Sequence, residues 1–319
     1  MERTQLQMTR LGTTDLELTR VGFGAWAIGG GGWEFGWGPQ DDDESIGAIQ
    51  RALELGVNWI DTAAAYGFGR SEEVVGRALE GLAEQPYVFT KASLLEGPER
   101  RVVHSLKRDS ILREVAASLK RLGVDAIDLY QIHWPVPVAE IEEGWATLAE
   151  LKEQGLVRHI GVSNFDVEQL RRIQSIAPVE TLQPQYSLVD RGVEEDLLPF
   201  AEREGIGVIV YSPMGSGLLT GGMTRERIAA LPDDDWRTRD PRFREPQLSR
   251  HLALVERLAA VADRYGTTPG AVAVAWTLRN PAVDGAIVGF RRPDQVDPIV
   301  AATGLELTDD DLAEIDGRS

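Results

Sequence analysis

Cysteine is absent from this 319-residue sequence, which excludes disulfides and thiol catalysis. Basic residues are scarce, with 33 Lys and Arg against 51 Asp and Glu and a formal charge of -18. That balance argues against a general nucleic-acid or anionic-membrane surface, while leaving room for a local basic pocket that takes a phosphate. No uninterrupted apolar run approaches the ~18 to 20 residues of a membrane helix. Met1 to Arg10 is polar and has no apolar signal-peptide core, so a cytoplasmic protein is expected. His104, His133, His159 and His251 stand isolated, without H-E-x-x-H or carboxylate spacing, and no metal site is expected. Low-complexity stretches, linkers and a G-x-S-x-G nucleophile elbow are also missing. One domain spanning residues 1–319 is the reading.

What is present is alternation. Short apolar or β-branched runs recur between amphipathic segments at roughly 30-residue spacing, as βα units should. The candidate inner strands are Val21–Gly24, Trp59–Ala63, Val88–Ala92, Ile127–His133, Ile160–Asn164, Leu182–Gln185, Val208–Ser212 and Ala286–Gly289. Helices are expected over Asp42–Leu55, Ser71–Leu79, Ser110–Leu122, Val138–Gln154, Val167–Ser175, Glu194–Glu204 and Pro269–Arg279, with another ending at Val261–Tyr265. Ser71 followed by Glu72 and Glu73 reads as a helix cap. Gly56, Gly123, Gly155 and Gly205 each lie just past a helical run, where a left-handed residue is wanted. Leu11–Leu18 reads as a small hairpin able to plug one end of a barrel, and Met214–Gln247 as a long loop insertion after the seventh strand.

Gly22-Phe23-Gly24-Ala25-Trp26-Ala27 matches the G-x-G-x-x-A dinucleotide fingerprint. That fingerprint must run straight into a helix, and here it runs into Gly29-Gly30-Gly31-Gly32, which cannot hold one. A flexible loop beside the first strand fits better, with Trp26, Trp33 and Trp37 as apolar walls for a substrate and Trp134 added from farther along the chain.

Asp61, Tyr66, Lys91 and His133 each sit at or just after the end of a predicted strand. A parallel barrel brings such residues to one mouth, where barrel chemistry lies. A free phenol titrates near pH ~10, too high to donate readily at neutrality. A nearby Lys91 ammonium is expected to lower that value, with Asp61 holding the lysine and His133 orienting a carbonyl. A single strand-end lysine ordinarily points to solvent, and a single histidine before Trp-Pro is ordinarily packed. Four such residues at successive strand ends favour catalysis.

The chain resembles the aldo-keto reductases over nearly its whole length. The resemblance is carried by Asn58-Trp59-Ile60-Asp61-Thr62-Ala63 with Tyr66-Gly67, by Ser71-Glu72-Glu73 and by Thr90-Lys91. It continues through Ser118-Leu119-Lys120-Arg121-Leu122, Asp128-Leu129-Tyr130-Gln131-Ile132-His133, Gly155-Leu156-Val157-Arg158 and Ile160-Gly161-Val162-Ser163-Asn164-Phe165. Leu218-Leu219-Thr220-Gly221 and Asp240-Pro241-Arg242-Phe243 resemble the bacterial branch that includes inositol-operon and general-stress reductases. The resemblance implies an α/β fold, a (β/α)8 TIM barrel with an N-terminal hairpin plug and a cofactor-covering loop after strand 7. It implies Tyr66 as general acid, Lys91 and Asp61 as its tuning pair, and His133 as substrate orienter. It places the nicotinamide carboxamide of NADPH on Ser163, Asn164 and Gln185, the ring on Tyr211, and the pyrophosphate along Ser212, Met214, Gly217 and Leu219.

Elementary chemistry agrees with part of this. Asn and Gln offer a carboxamide both donor and acceptor, and a tyrosine ring offers a stacking face. After the eighth strand, Gly289-Phe290-Arg291-Arg292-Pro293-Asp294-Gln295 opens a helix, and an arginine at a helix N-terminus suits a 2′-phosphate. NADPH is therefore expected over NADH, with Gln295 retained from the family pattern. The chain departs from that pattern at Pro298-Ile299, where many members carry Glu-Asn and the asparagine contacts adenine. A small-molecule carbonyl substrate is expected, and neither nucleic acid nor a membrane as partner. The family also includes potassium-channel β subunits that sense nicotinamide redox state, which is the competing reading. A sugar-processing barrel would need a second strand-end carboxylate beside Asp61.

Overall fold

Strands covered on both faces need not alternate polar and apolar residues, and the inner strands here are short, nearly continuous apolar runs. A computed structural model describes residues 6–317. Its first strands, β1 (Met8–Arg10) and β2 (Glu17–Thr19), pair as an antiparallel hairpin. Then follow β3 (Val21–Gly24), α1 (Asp42–Glu54), β4 (Trp59–Asp61), α2 (Arg70–Leu79) and β5 (Tyr87–Ala92). A second hairpin, β6 (Leu94–Glu96) and β7 (Val102–His104), precedes α3 (Arg108–Leu122) and β8 (Ile127–Ile132). The chain continues through α4 (Ile141–Glu153), β9 (Val157–Ser163), α5 (Val167–Gln174), β10 (Thr181–Gln183), α6 (Leu197–Glu204) and β11 (Gly207–Tyr211). It ends with α7 (Arg225–Ala229), α8 (Gln247–Tyr265), α9 (Pro269–Leu278), β12 (Gly285–Gly289), α10 (Val296–Val300) and α11 (Asp309–Ile315).

The eight parallel strands close in the order β10-β11-β12-β3-β4-β5-β8-β9. This is the (β/α)8 barrel that the sequence implied. All four helix-end glycines take positive φ, at 96°, 70°, 75° and 68°. The plug is also found, shifted in its bounds: Leu11–Leu18 is mostly the turn of the hairpin. Leu11, Leu16 and Leu18 are fully buried against Trp59, Phe89, Leu129 and Ile209 and close the N-terminal end of the barrel. Gly22 belongs to this packing. A Cβ there would lie 2.2 Å from the Trp59 indole, so the glycine makes room for a ring rather than a pyrophosphate.

Several local expectations are corrected. Ser71 does not cap α2, because the helix starts one residue earlier, at Arg70, with Gly69 in the cap position. The Ser71 hydroxyl instead donates to the Ala25 carbonyl at 2.8 Å and lies 2.9 Å from the Thr62 hydroxyl, tying α2 to the loops after β3 and β4. The insertion is not an open loop. It carries 3-10 turns at Leu218–Thr220, Trp236–Arg239 and Pro241–Phe243 as well as α7, around an apolar cluster of Leu218, Met223, Phe243 and Leu248. The helix ending at Tyr265 reaches back to Gln247, and the β6–β7 hairpin carried no signal in the sequence.

The glycine-rich loop after β3 is pinned rather than free. Trp236 N–H donates to the Gly36 carbonyl at 2.9 Å, Gly32 N–H to Asp234 at 3.0 Å, and Arg239 to the Glu34 carbonyl. The loops after β3 and β11, strands separated only by β12, thus meet at the C-terminal mouth of the barrel. No helix among the described residues is long and apolar enough to cross a membrane.

Candidate active site

Strand ends set the site. Asp61 closes β4, Lys91 is the penultimate residue of β5, and His133 follows β8 directly, while Tyr66 sits in the turn leading to α2. All four are buried. Lys91 Nζ donates to Asp61 Oδ1 at 2.5 Å, to the Thr62 carbonyl at 2.9 Å and to the Tyr66 hydroxyl at 3.4 Å. The Tyr66 and His133 rings meet edge to face with centroids 5.6 Å apart.

Two members of this group went unrecognised in the sequence. Gln183 Nε2 donates to Asp61 Oδ2 at 2.8 Å and to Gln131 Oε1 at 3.3 Å, and Gln131 Nε2 reaches the same Asp61 oxygen at 3.4 Å. Both carboxylate oxygens of Asp61 are thereby engaged, one by the ammonium and one by amides. A signal existed: Gln131 and His133, like Gln183 and Gln185, lie two apart at the ends of β8 and β10, the period that puts both on one face. Behind the lysine, buried Glu72 accepts from Thr90 Oγ1 at 2.6 Å and from Arg121 Nε at 2.6 Å.

Burial pulls the Lys91 ammonium below its ordinary value, while Asp61 and, more remotely, Glu72 pull it back up. The expected depression of the Tyr66 phenol is not what this site does. Burial, with Asp61 and Tyr211 adding to it, pushes the phenol well above 10. The phenol is therefore protonated at neutrality and carries a hydroxyl able to donate a hydrogen bond. Burial and the Lys91 charge hold His133 well below the usual imidazole range, so its ring is neutral. Its Nδ1 is buried with no hydrogen-bond partner among the described residues.

These groups open into a cavity of about 840 Å3, whose lining includes Trp26, Trp33, Trp37 and Trp134 as well as Arg291, Gln295, Pro298 and Ile299. Trp26 stacks on Trp236 at 5.1 Å and meets Trp37 edge-on at 5.2 Å. Ser163, Asn164, Gln185, Tyr211, Ser212, Met214, Gly217 and Gly289 line the same space. Leu219 does not: it is fully buried in the core, and its N–H is taken by the Met214 carbonyl at 3.0 Å.

The amides along the wall are interlocked. Asn164, held at a φ of 64°, donates to the His133 carbonyl at 2.9 Å and to Ser163 Oγ at 3.0 Å. Its Oδ1 accepts from the Tyr211 hydroxyl at 2.8 Å, and Gln185 Nε2 donates to Asp190 at 2.9 Å. An Asn oxygen has two lone pairs and a Gln nitrogen two hydrogens, so one of each is left for a carboxamide. A flat amide-bearing ring beside Tyr211 fits this wall.

Arg227, Arg237, Arg242 and Arg291 also line the cavity, Arg242 paired with Asp190 at 2.7 Å and Asp240 at 2.6 Å. The first three come from the insertion, whose path the sequence did not reveal. Arg237 is clamped by buried Asp235, at 2.6 Å, and lies 4.5 Å over the Trp37 ring. Arg291 donates to the Trp37 carbonyl at 3.2 Å, the Pro39 carbonyl at 2.5 Å and Gln40 Oε1 at 2.5 Å. Gln295 Oε1 accepts the N–H groups of Arg291 and Arg292, at 2.8 and 3.2 Å, while the Arg292 side chain pairs with Asp294 outside. No cluster of three or more His, Asp or Glu among the described residues is placed to hold a metal ion.

The model of the aldo/keto reductase family matches residues 20–318. Over 313 residues the chain is 41% identical to aldo-keto reductase YhdN of Bacillus subtilis (strain 168), covering 97% of this chain and 92% of that protein. It is 38% identical over 317 residues to the NADH-specific methylglyoxal reductase of Escherichia coli (strain K12), covering 94% of each. Among solved structures, glycerol dehydrogenase AKR11B4 from Gluconobacter oxydans matches with a TM-score of 0.87 and 39% identity, over 98% of this chain and 94% of that one.

Proposed function

The chain belongs to the aldo/keto reductase family, and on that footing we propose that it reduces an aldehyde or ketone to an alcohol, with Tyr66 as general acid and NADPH as preferred reductant. The observation that carries this reading is the relay Asp61–Lys91–Tyr66, with separations of 2.5 and 3.4 Å and the neutral ring of His133 alongside. When bound, a reduced nicotinamide supplies the hydride. Asn164 and Gln185 hold its carboxamide, and Tyr211 offers the stacking face. Tyr66 gives its proton to the carbonyl oxygen as negative charge develops there. Lys91 then stabilises the phenolate, and Asp61, fixed by Gln183, keeps the ammonium in place. His133 orients the carbonyl as a neutral hydrogen-bond partner. Trp26, Trp33 and Trp134 give the substrate an apolar enclosure that excludes water.

The arginines that line the cavity support NADPH. A second cofactor reading has its own support: Arg291 already spends its donors on the loop after β3, and one relative is named as NADH-specific. The test is oxidation of NADPH and NADH with a panel of aldehydes and ketones, wild type beside Tyr66→Phe. Loss of the general acid should lower kcat by about 100- to 10,000-fold while cofactor binding persists. Equal turnover in Tyr66→Phe removes that role from Tyr66. Tight binding of nicotinamide without turnover on any carbonyl favours a redox-sensing protein.

A further inference from the structure

Just outside the cavity wall lies a buried carboxylate that the proposed chemistry leaves unused. Glu114 in α3 is 6% exposed; its Oε2 accepts the Ser93 backbone N–H at 2.9 Å and its Oε1 the Ser110 hydroxyl at 3.1 Å. An apolar residue would fill this place without the cost of removing a carboxylate from water. Burial, with Glu72 adding to it, pushes the Glu114 carboxyl up to about 7 against the pull of those two donors and of Arg113.

The residue it holds is strained. Ser93 follows β5 with a φ of 93°, a conformation that side-chain-bearing residues keep only when the surroundings impose it. Each of its polar atoms is engaged. Its carbonyl accepts Ser105 N–H at 3.2 Å; its hydroxyl accepts Trp134 N–H at 3.3 Å and donates to the Trp134 carbonyl at 3.4 Å. Next to it, the Ala92 carbonyl accepts His133 N–H at 3.0 Å. Ser93 therefore joins the end of β5 to the turn bearing His133 and Trp134 and to the hairpin end bearing His104. All three of those residues line the cavity.

We propose that Glu114 is a positioning residue for the substrate pocket: by holding Ser93 in its positive-φ conformation, it sets the His133–Trp134 turn and the His104 end of the hairpin. The kinetic part of this proposal rests on the carbonyl-reductase reading; the structural part does not. In Glu114→Ala the carbonyl KM should rise about tenfold while the cofactor KM stays within about twofold, as expected for a lost bond to a buried acceptor. Glu114→Gln keeps an oxygen facing Ser93 and should restore most of the affinity. In hydrogen exchange on the full chain, the amides of Ser93, Ser105 and Trp134 should open faster in Glu114→Ala, with Tyr130 and Ile160 in the barrel strands unmoved.

Unchanged exchange at those three amides overturns the proposal, as does exchange that speeds equally throughout the barrel. A fall in kcat with the carbonyl KM unchanged overturns it too. If the wild type turns over no carbonyl with either nicotinamide, the functional reading fails, and the exchange comparison still decides the role of Glu114. Should Glu114→Ala not fold, Ser93→Ala removes only the hydroxyl and is expected to speed exchange at Trp134; protection unchanged there counts against the proposal.

Discussion

Gln183 Nε2 lies 2.8 Å from Asp61 Oδ2, the carboxylate oxygen that Lys91 does not use. The amide leaves the aspartate one orientation in which it meets the ammonium, so Gln183 acts on Tyr66 at two removes. Gln183→Leu should lower kcat about tenfold with little change in cofactor affinity, the size of one lost bond to an ionised group. Steady-state kinetics with cofactor titration checks this, and an unchanged kcat would show that Asp61 needs no second anchor.

Lys91 is the link between Asp61 and the phenol. Lys91→Met keeps the stem and deletes the charge, leaving Asp61 buried without its counter-ion. Turnover should fall by about 100-fold or more. The stability midpoint in denaturant should fall as well, because an unpaired buried carboxylate remains. Retained turnover together with retained stability would contradict the relay.

Arg291 separates the two cofactor readings. Arg291→Ala should weaken NADPH about tenfold and NADH much less if the guanidinium meets a 2′-phosphate, since charge-assisted bonds are the strong ones. Equal weakening of both, measured by fluorescence titration, would mean that Arg291 only props Trp37, Pro39 and Gln40.

At the opposite end of the barrel, His159 sits between Asp15, at 2.6 Å, and Glu180, at 2.9 Å. The imidazole must carry both protons to donate to both carboxylates. Although its burial opposes the charge, these two partners raise its value above 6.5, and the imidazole in return helps to hold both carboxylates below their ordinary values. A raised folded value means that the His159 contribution is full below about pH 6.5 and is lost as pH rises through the folded value. The carboxylate contributions run the other way, present above about pH 4 and lost in acid. The stability difference between wild type and His159→Gln should therefore peak in mildly acidic solution and shrink on the alkaline side. A difference independent of pH from 5 to 9, in thermal melts, would show that the clasp is not ionic.

The barrel was legible in the sequence because its elements are local. Apolar runs of strand length, amphipathic helices and glycines past helix ends depend on neighbours within a turn or two, and the tetrad was legible because strand ends in a parallel barrel share one face. What depends on distant segments was not. The Trp236–Gly36 bond and the arginines of the insertion require two loops far apart in the chain to meet. The Tyr66 phenol was expected to be easier to ionise, from the charge next to it. The fold makes it harder, because enclosing the ring removes the water that would solvate its anion, and the charge of Asp61 disfavours that anion further. Residue types and their order along the chain determined the architecture and the chemical actors; the close packing of the tertiary structure decided their protonation, their partners and the walls they face.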